Sequence, residues 1–165
     1  MKIIKNYLPK ESYIKIKETL MSDNFPWYFN ENVLSEEDLK DQKSIYQFTH
    51  TFYKNNTPWS RYYEILNPIL NILNPLAILR IKSNLNTQTE KIEETGLHID
   101  HEDDRFKSAV FFLNTCDGYC KIIDEKVLSE DNKMVLFNSN IKHTGSTTTN
   151  QKRRVLINFI YLPRV

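Results

Sequence analysis

His98-Ile99-Asp100 is the first segment whose residue types can do chemistry. On an extended strand, residues i and i+2 point to the same face. His98 and Asp100 would therefore present an imidazole and a carboxylate side by side. A further histidine, His143, follows forty-three residues after Asp100, in the segment Asn140-Ile141-Lys142-His143-Thr144-Gly145. That gap spans about three short strands and can return His143 across a small β-barrel. Two imidazoles and one carboxylate on one face of a divalent metal make the facial triad of non-haem Fe(II) sites. Three coordination positions then stay open for a chelating cosubstrate and O2, whereas a closed tetrahedral zinc site would leave none.

His-X-Asp is common by itself, and a third element gives it meaning. Gln151-Lys152-Arg153-Arg154 opens the last apolar run, ten and eleven residues after His143 for the two arginines. An arginine there can clamp a carboxylate bidentately. Strand alternation chooses between them. Arg153 shares a face with Val155, Ile157, Phe159 and Tyr161, an apolar face suited to packing under helices. Arg154 shares a face with Leu156, Asn158 and Ile160, a mixture suited to a cavity that holds an anion. Arg154 is the predicted clamp, and Lys152 and Arg153 fit a solvated or packing role.

These residues need a scaffold. From Leu76 onward the chain reads as short strands rich in Val, Ile, Leu, Phe and Tyr: 76–85, 107–113, 119–123, 134–137 and 153–161. Turn-like segments separate them, and two of the three glycines, Gly96 and Gly145, stand close to the candidate histidines. The first 75 residues read as mainly helical, with a helix from about residue 10 to 21 and another over roughly 59–73 that Pro68 could kink. Between them lie an acidic segment at Ser35-Glu36-Glu37-Asp38 and an aromatic-rich stretch from Tyr46 to Tyr53. The expected architecture is mainly β, a sandwich or barrel with the N-terminal helices packed on one outer face. The expected organisation is one domain over 1–165, with 1–75 as helical support and 76–165 as the β core.

Composition agrees with an ordinary folded domain. The 165 residues are 40% hydrophobic and 26% charged, which argues against disorder. Lys and Arg number 22 against 21 Asp and Glu, so a strongly basic nucleic-acid surface is not the main feature, although a local patch stays open. No apolar run approaches a membrane span and the N-terminus lacks the pattern of a signal peptide. Two cysteines, Cys116 and Cys120, make neither a disulfide scaffold nor a zinc motif, so a reducing cytoplasm is the expected compartment.

Other chemistry-bearing residues read as structural. His101 follows Asp100 at once, and alternation points it away from the metal. Glu102-Asp103-Asp104 reads as a solvated loop rather than a lure for a cationic substrate. His50, among Phe48, Phe52 and Tyr53, reads as structural, and Trp27 and Trp59 as core or lid aromatics.

From about Leu76 to Tyr161 the sequence resembles the Fe(II)/2-oxoglutarate-dependent dioxygenases, specifically prolyl-4-hydroxylase-like 2OG-Fe(II) oxygenases of phage and bacterial type. The resemblance rests on His98-Ile99-Asp100, on Ser108-Ala109-Val110-Phe111-Phe112-Leu113-Asn114 with the Asp117-Gly118-Tyr119 turn, on Met134-Val135-Leu136-Phe137 leading to His143-Thr144-Gly145, and on Arg154-Val155-Leu156-Ile157-Asn158-Phe159. It implies a double-stranded β-helix, or jelly roll. It also implies Fe(II) held by His98, Asp100 and His143, and 2-oxoglutarate held by Arg154 with Asn158 on the same face. The implied reaction couples decarboxylation of 2-oxoglutarate by O2 to oxidation of a second substrate. Many relatives carry a tyrosine on an early core strand that touches 2-oxoglutarate. Here that region reads Leu79-Arg80-Ile81-Lys82-Ser83-Asn84-Leu85, and Asn84 or Arg80 would take the role. Two other readings compete: a non-catalytic jelly-roll binding or structural module, and a cupin-like metal enzyme of other chemistry. Neither has a use for an arginine clamp eleven residues past His143. The oxidised substrate stays open between a peptidyl side chain, a nucleotide base and a free small molecule.

Overall fold

The computed structural model describes residues 1–33 and 45–164; the acidic segment at Ser35–Asp38 lies outside them. In chain order the elements are β1 (Lys2–Ile4), α1 (Lys10–Leu20), β2 (Tyr28–Asn30), β3 (Gln47–Lys54), β4 (Thr57–Pro58), α2 (Asn67–Leu73), β5 (Pro75–Thr87), β6 (Lys107–Phe112), β7 (Tyr119–Ile122), β8 (Glu125–Leu128), β9 (Lys133–Asn138), β10 (His143–Gly145) and β11 (Arg153–Pro163).

The fold is a mainly β jelly roll with helices on one face. Eight strands form a large antiparallel sheet in the order β1-β9-β6-β11-β5-β3-β2, with β4 attached to β3. A small sheet, β10-β7-β8, lies opposite. Alternation along the large sheet feeds two separate cores. Ala109, Phe111, Val155, Ile157 and Phe159 point toward the helices and join Tyr13, Ile16 and Leu20 of α1. Val110, Phe112, Val135, Phe137 and Leu156 point the other way and meet Cys120, Ile122 and Val127 of the small sheet. Strand β11 is therefore buried on both faces, which explains its near-continuous apolar sequence.

Helix α1 shows why the helical layer docks where it does. Tyr13, Ile16 and Leu20 recur at helical spacing and are its buried residues. Glu11 in its first turn and Lys17 in its last suit the helix dipole. The Tyr13 hydroxyl donates to the Leu113 carbonyl at 2.9 Å, tying α1 to the end of β6.

Two expectations need correction. The first 75 residues are not mainly helical, because β1, β2 and β3 all join the large sheet. Gln47–Lys54 alternates polar and apolar residues, and β3 covers the edge of β5 that would otherwise stay unpaired. The helix expected over roughly 59–73 is divided: a 3-10 turn at Tyr63–Leu66 comes first, and Pro68 stands at the start of α2 rather than kinking a longer helix. Asn74 then takes the left-handed conformation that ends α2 and turns the chain into β5. Of the two tryptophans read as core or lid aromatics, Trp27 packs against the helical core and Trp59 is exposed.

Candidate metal and cosubstrate site

His98 and His143 come together through their backbones. The His98 N–H donates to the His143 carbonyl at 3.0 Å, and the His143 N–H donates back at 2.9 Å. His98-Ile99-Asp100 is not a regular strand, as alternation had assumed. His98 makes an isolated bridge to β10, and Asp100 sits at a bend whose N–H reaches the Ser139 carbonyl at 3.0 Å. The segment leading in turns at Gly96, whose φ of 101° lies in a region that favours glycine. The result still places His98 and Asp100 on one side. Donor atoms of His98, Asp100 and His143 all lie within 4.8 Å of one another, a group that could hold a metal ion.

Hydrogen bonds orient all three groups. His98 Nδ1 lies 3.1 Å from the Gly96 carbonyl and His143 Nδ1 lies 2.9 Å from the Ile141 carbonyl. Each ring thus carries its proton on Nδ1, leaving Nε2 as the free donor atom. Asp100 Oδ2 accepts from the Ser108 hydroxyl at 2.6 Å and from the Asn158 amide at 3.2 Å, while Arg80 approaches Oδ1 at 3.4 Å. Burial alone would raise the Asp100 pKa, but His143, Arg80 and the Ser108 hydrogen bond hold it below the ordinary carboxylate value. Burial, reinforced by His143, lowers the His98 pKa, which favours a neutral imidazole. An ionised carboxylate and a neutral imidazole are the forms that bind metal.

Beside this group lies a cavity of about 190 Å³ between the two sheets. Arg154, 1% exposed, lines it from β11, opposite Asn86 in the strand register. Its Nε donates to the Ser129 hydroxyl at 2.7 Å and one terminal nitrogen reaches the Ser146 carbonyl at 3.2 Å. The other terminal nitrogen is buried without a partner, and Arg154 pairs with no carboxylate among the described residues. Asn84 Oδ1, Asn86 Nδ2, Asn158 Oδ1, Gln47 Nε2 and Arg80 Nε are also buried and unpaired, and all of these residues line the same cavity. Folded proteins leave few buried polar atoms unpaired. Their convergence here presents a polar, cation-headed surface suited to an anionic ligand.

The predicted site residues are thus gathered, in different company. Arg154 faces the cavity, and Arg153 turns to the helical layer, where it donates to the Met21 carbonyl at the end of α1 at 2.6 Å. Asn84 faces the cavity one strand-pair along from Asn86, whereas Arg80 and Asn158 bond to Asp100. His101 stands apart, accepting from the Asp103 N–H at 3.1 Å and packing on Phe106. His50 is held by the Pro26 carbonyl and the Ser60 hydroxyl, each at 2.7 Å. Asp103 pairs with Arg105 at the surface.

Sequence reasoning passed over Gln47, Asn86, Thr95, Cys120 and Ser108, and gave Lys82 no role. Lys82 and Asn86 follow from the alternation that singled out Asn84. Cys120 had no such signal. Lys82 lines the cavity, and burial followed by repulsion from Arg80 lowers its ammonium pKa to about 8.

Comparison with protein-family models and with curated proteins finds no match. Solved structures do match over nearly the whole chain. A prolyl hydroxylase from Trichoplax adhaerens, in complex with a hypoxia-inducible-factor peptide fragment, superposes with a TM-score of 0.70 at 12% identity, covering 98% of this chain and 83% of that one. A Pseudomonas putida prolyl-4-hydroxylase gives 0.61 at 12% identity, covering 99% and 92%. HygX from Streptomyces hygroscopicus, with nickel and 2-oxoglutarate bound, gives 0.57 at 11% identity, covering 98% and 82%. The chain has the fold of the 2OG-Fe(II) oxygenases.

Proposed function

We propose that this protein is an Fe(II)- and 2-oxoglutarate-dependent dioxygenase that hydroxylates a small-molecule or peptidyl substrate. The observation that carries the reading is the coincidence in one cavity of a His-Asp-His donor group and a buried arginine without a counter-ion. His98 and His143 would hold the iron through Nε2, Asp100 through a carboxylate oxygen, and Arg154 would bind the distal carboxylate of 2-oxoglutarate. Iron and cosubstrate, when bound, supply the oxidising chemistry that converts 2-oxoglutarate and O2 to succinate and CO2 while a C–H bond is oxidised.

The chain's own residues supply orientation. The Gly96 and Ile141 carbonyls fix the two imidazoles, and Ser108 and Asn158 fix Asp100. Gly118 lets the Arg154 stem pass: a Cβ there would lie 2.6 Å from Arg154 Cδ and 2.5 Å from the Thr147 carbonyl oxygen. Asn84 and Asn86 offer further polar contacts to the keto acid. Cys116 and Cys120 are free thiols, which suits a reducing cytoplasm as the place of work.

The test is titration without O2, first with Mn(II) and then with 2-oxoglutarate, followed by a succinate-release assay with Fe(II) in air. The parent is expected to bind both, and His143→Ala to lose metal affinity by about 100-fold. Parent-like Mn(II) binding by His143→Ala would sink the triad.

A further inference from the structure

The cavity holds more positive charge than the proposed cosubstrate can answer. Arg80, Lys82 and Arg154 line it, and Asp100 is the one acidic residue among the described residues that does. A divalent metal and doubly negative 2-oxoglutarate cancel each other in formal charge. Asp100 then answers one of the three cations, so the described residues leave the filled site a net charge of about +2 from their ordinary ionisation. Unanswered charge in a partly desolvated site is costly.

The surplus has a definite place. Lys82 pairs with Asn158 on one side and Thr51 on the other, and Asn158 bonds to Asp100. Lys82 therefore stands level with the donor group, four residues along β5 from Asn86, which is opposite Arg154. The same strand face carries Arg80, whose register partner on β3 is Lys54. Lys82 is half-buried, no side-chain hydrogen bond or ion pair holds it among the described residues, and the nearby Asp100 charge favours its charged form. Arg80 spends one terminal nitrogen on Asp100 and keeps a buried Nε without a partner. Asp100 already accepts from Ser108, Asn158 and Arg80, so it offers little to a cationic substrate.

We propose that the oxidised substrate carries an anionic group, a carboxylate or a phosphate, which Lys82 and the free edge of Arg80 bind beside the metal ligands. This inference rests on the dioxygenase reading and names its substrate class. The anion anchors the substrate on the β5 side of the site, leaving Arg154 to the cosubstrate.

The experiment uses the full chain loaded with Mn(II) and 2-oxoglutarate in the absence of O2. It is titrated with N-acetylaspartate amide, with its neutral isostere N-acetylasparagine amide, and with methyl phosphate. At least one anion is expected to bind, and the arm that binds tells carboxylate from phosphate. The neutral isostere is expected to bind at least about tenfold more weakly than the aspartate compound where that compound binds. Lys82→Gln is expected to weaken the bound anion about tenfold, in keeping with the loss of one charge-assisted hydrogen bond, and Lys82→Arg to restore it. Loss of anion binding on raising the salt concentration would add support. Equal binding of the two isosteres, or unchanged anion affinity in Lys82→Gln, would overturn the proposal. A parallel loss of 2-oxoglutarate affinity in Lys82→Gln would overturn it too, by assigning Lys82 to the cosubstrate. A parent that binds Mn(II) and 2-oxoglutarate but neither anion refutes this inference alone. A parent that binds no 2-oxoglutarate removes the dioxygenase reading and this inference with it.

Discussion

Arg153 and Arg154 are chain neighbours sent to opposite sides of one sheet. Arg153 closes the end of α1 through the Met21 carbonyl, a cation at the negative end of a helix. Arg154 is fully buried beside the cavity, and burial lowers its pKa from the ordinary value without removing its charge. Arg154→Ala should therefore weaken 2-oxoglutarate binding by about 30-fold or more, the cost of deleting one partner of a desolvated ion pair. Arg153→Ala should leave that affinity within about threefold and lower thermal stability instead, since a helix-end contact is worth about 1 kcal/mol. Titration of both variants with 2-oxoglutarate checks the pair, and a larger loss at Arg153 would contradict the strand register. This choice was legible in the sequence because alternation along a doubly buried strand leaves only two faces. The hydrogen bonds from Ser108 to Asp100 and from Gly96 and Ile141 to the imidazoles were not, because each joins residues through bends that no period announces.

At the scale of elements, apolar runs could be read, the four-residue β7 included, whereas polar or very short strands could not. Strands β5, β6, β7, β9 and β11 fall close to their expected positions. Strand β3 escaped because its apolar face is aromatic, including His50, and its other face is Gln47, Thr49 and Thr51, so hydrophobicity alone hides the alternation. Strand β10 is three residues long and owes its form to pairing with β7 and His98. The turn between β6 and β7 makes room for the Arg154 stem. Gly118→Ala should cost about 1–3 kcal/mol through overpacking, because a backbone oxygen blocks the new methyl. It should also weaken 2-oxoglutarate binding, which thermal denaturation and titration measure separately. Asp117, in the same turn, accepts from the Thr148 hydroxyl at 2.6 Å and the Thr149 N–H at 2.9 Å. Its slight burial favours the neutral form, but these hydrogen bonds prevail and hold its pKa at about 2. A carboxyl depressed in the folded state stabilises the fold above its unfolded pKa and loses that contribution as pH falls. The stability difference between the parent and Asp117→Asn should shrink as pH falls from about 4 to about 2, and denaturant midpoints across that range test it.

The whole molecule is a stack of helices, large sheet and small sheet, with one core on each side of the large sheet. The polar cavity lies on the inter-sheet side, beside the second apolar core, while the other face is packed under the helical layer. Ligands that answer the unpaired cavity groups bind the folded state alone. At 100 times its dissociation constant such a ligand adds about 2.7 kcal/mol, or roughly 5–10 °C in melting temperature for a chain of this size. Mn(II) with 2-oxoglutarate should raise the melting temperature of the parent by that order, and that of Arg154→Ala much less. The general plan was readable because it follows strand order. His98, Asp100 and His143 were singled out by residue type and spacing, although His98-Ile99-Asp100 is an isolated bridge and a bend rather than the strand that alternation assumed. The cavity's charge surplus needed Lys82 and Arg80 seen together with Asp100. The reciprocal bridge between His98 and His143 carries a further meaning. Two amide protons are each held by the other residue's carbonyl, so backbone hydrogen bonds join the two histidines without any part for their side chains. In deuterated buffer these two amides should exchange slowly in the metal-free protein as well as in the loaded one. For a metal held as proposed, chelation should then leave the fold intact, and the stripped protein should take metal again without refolding.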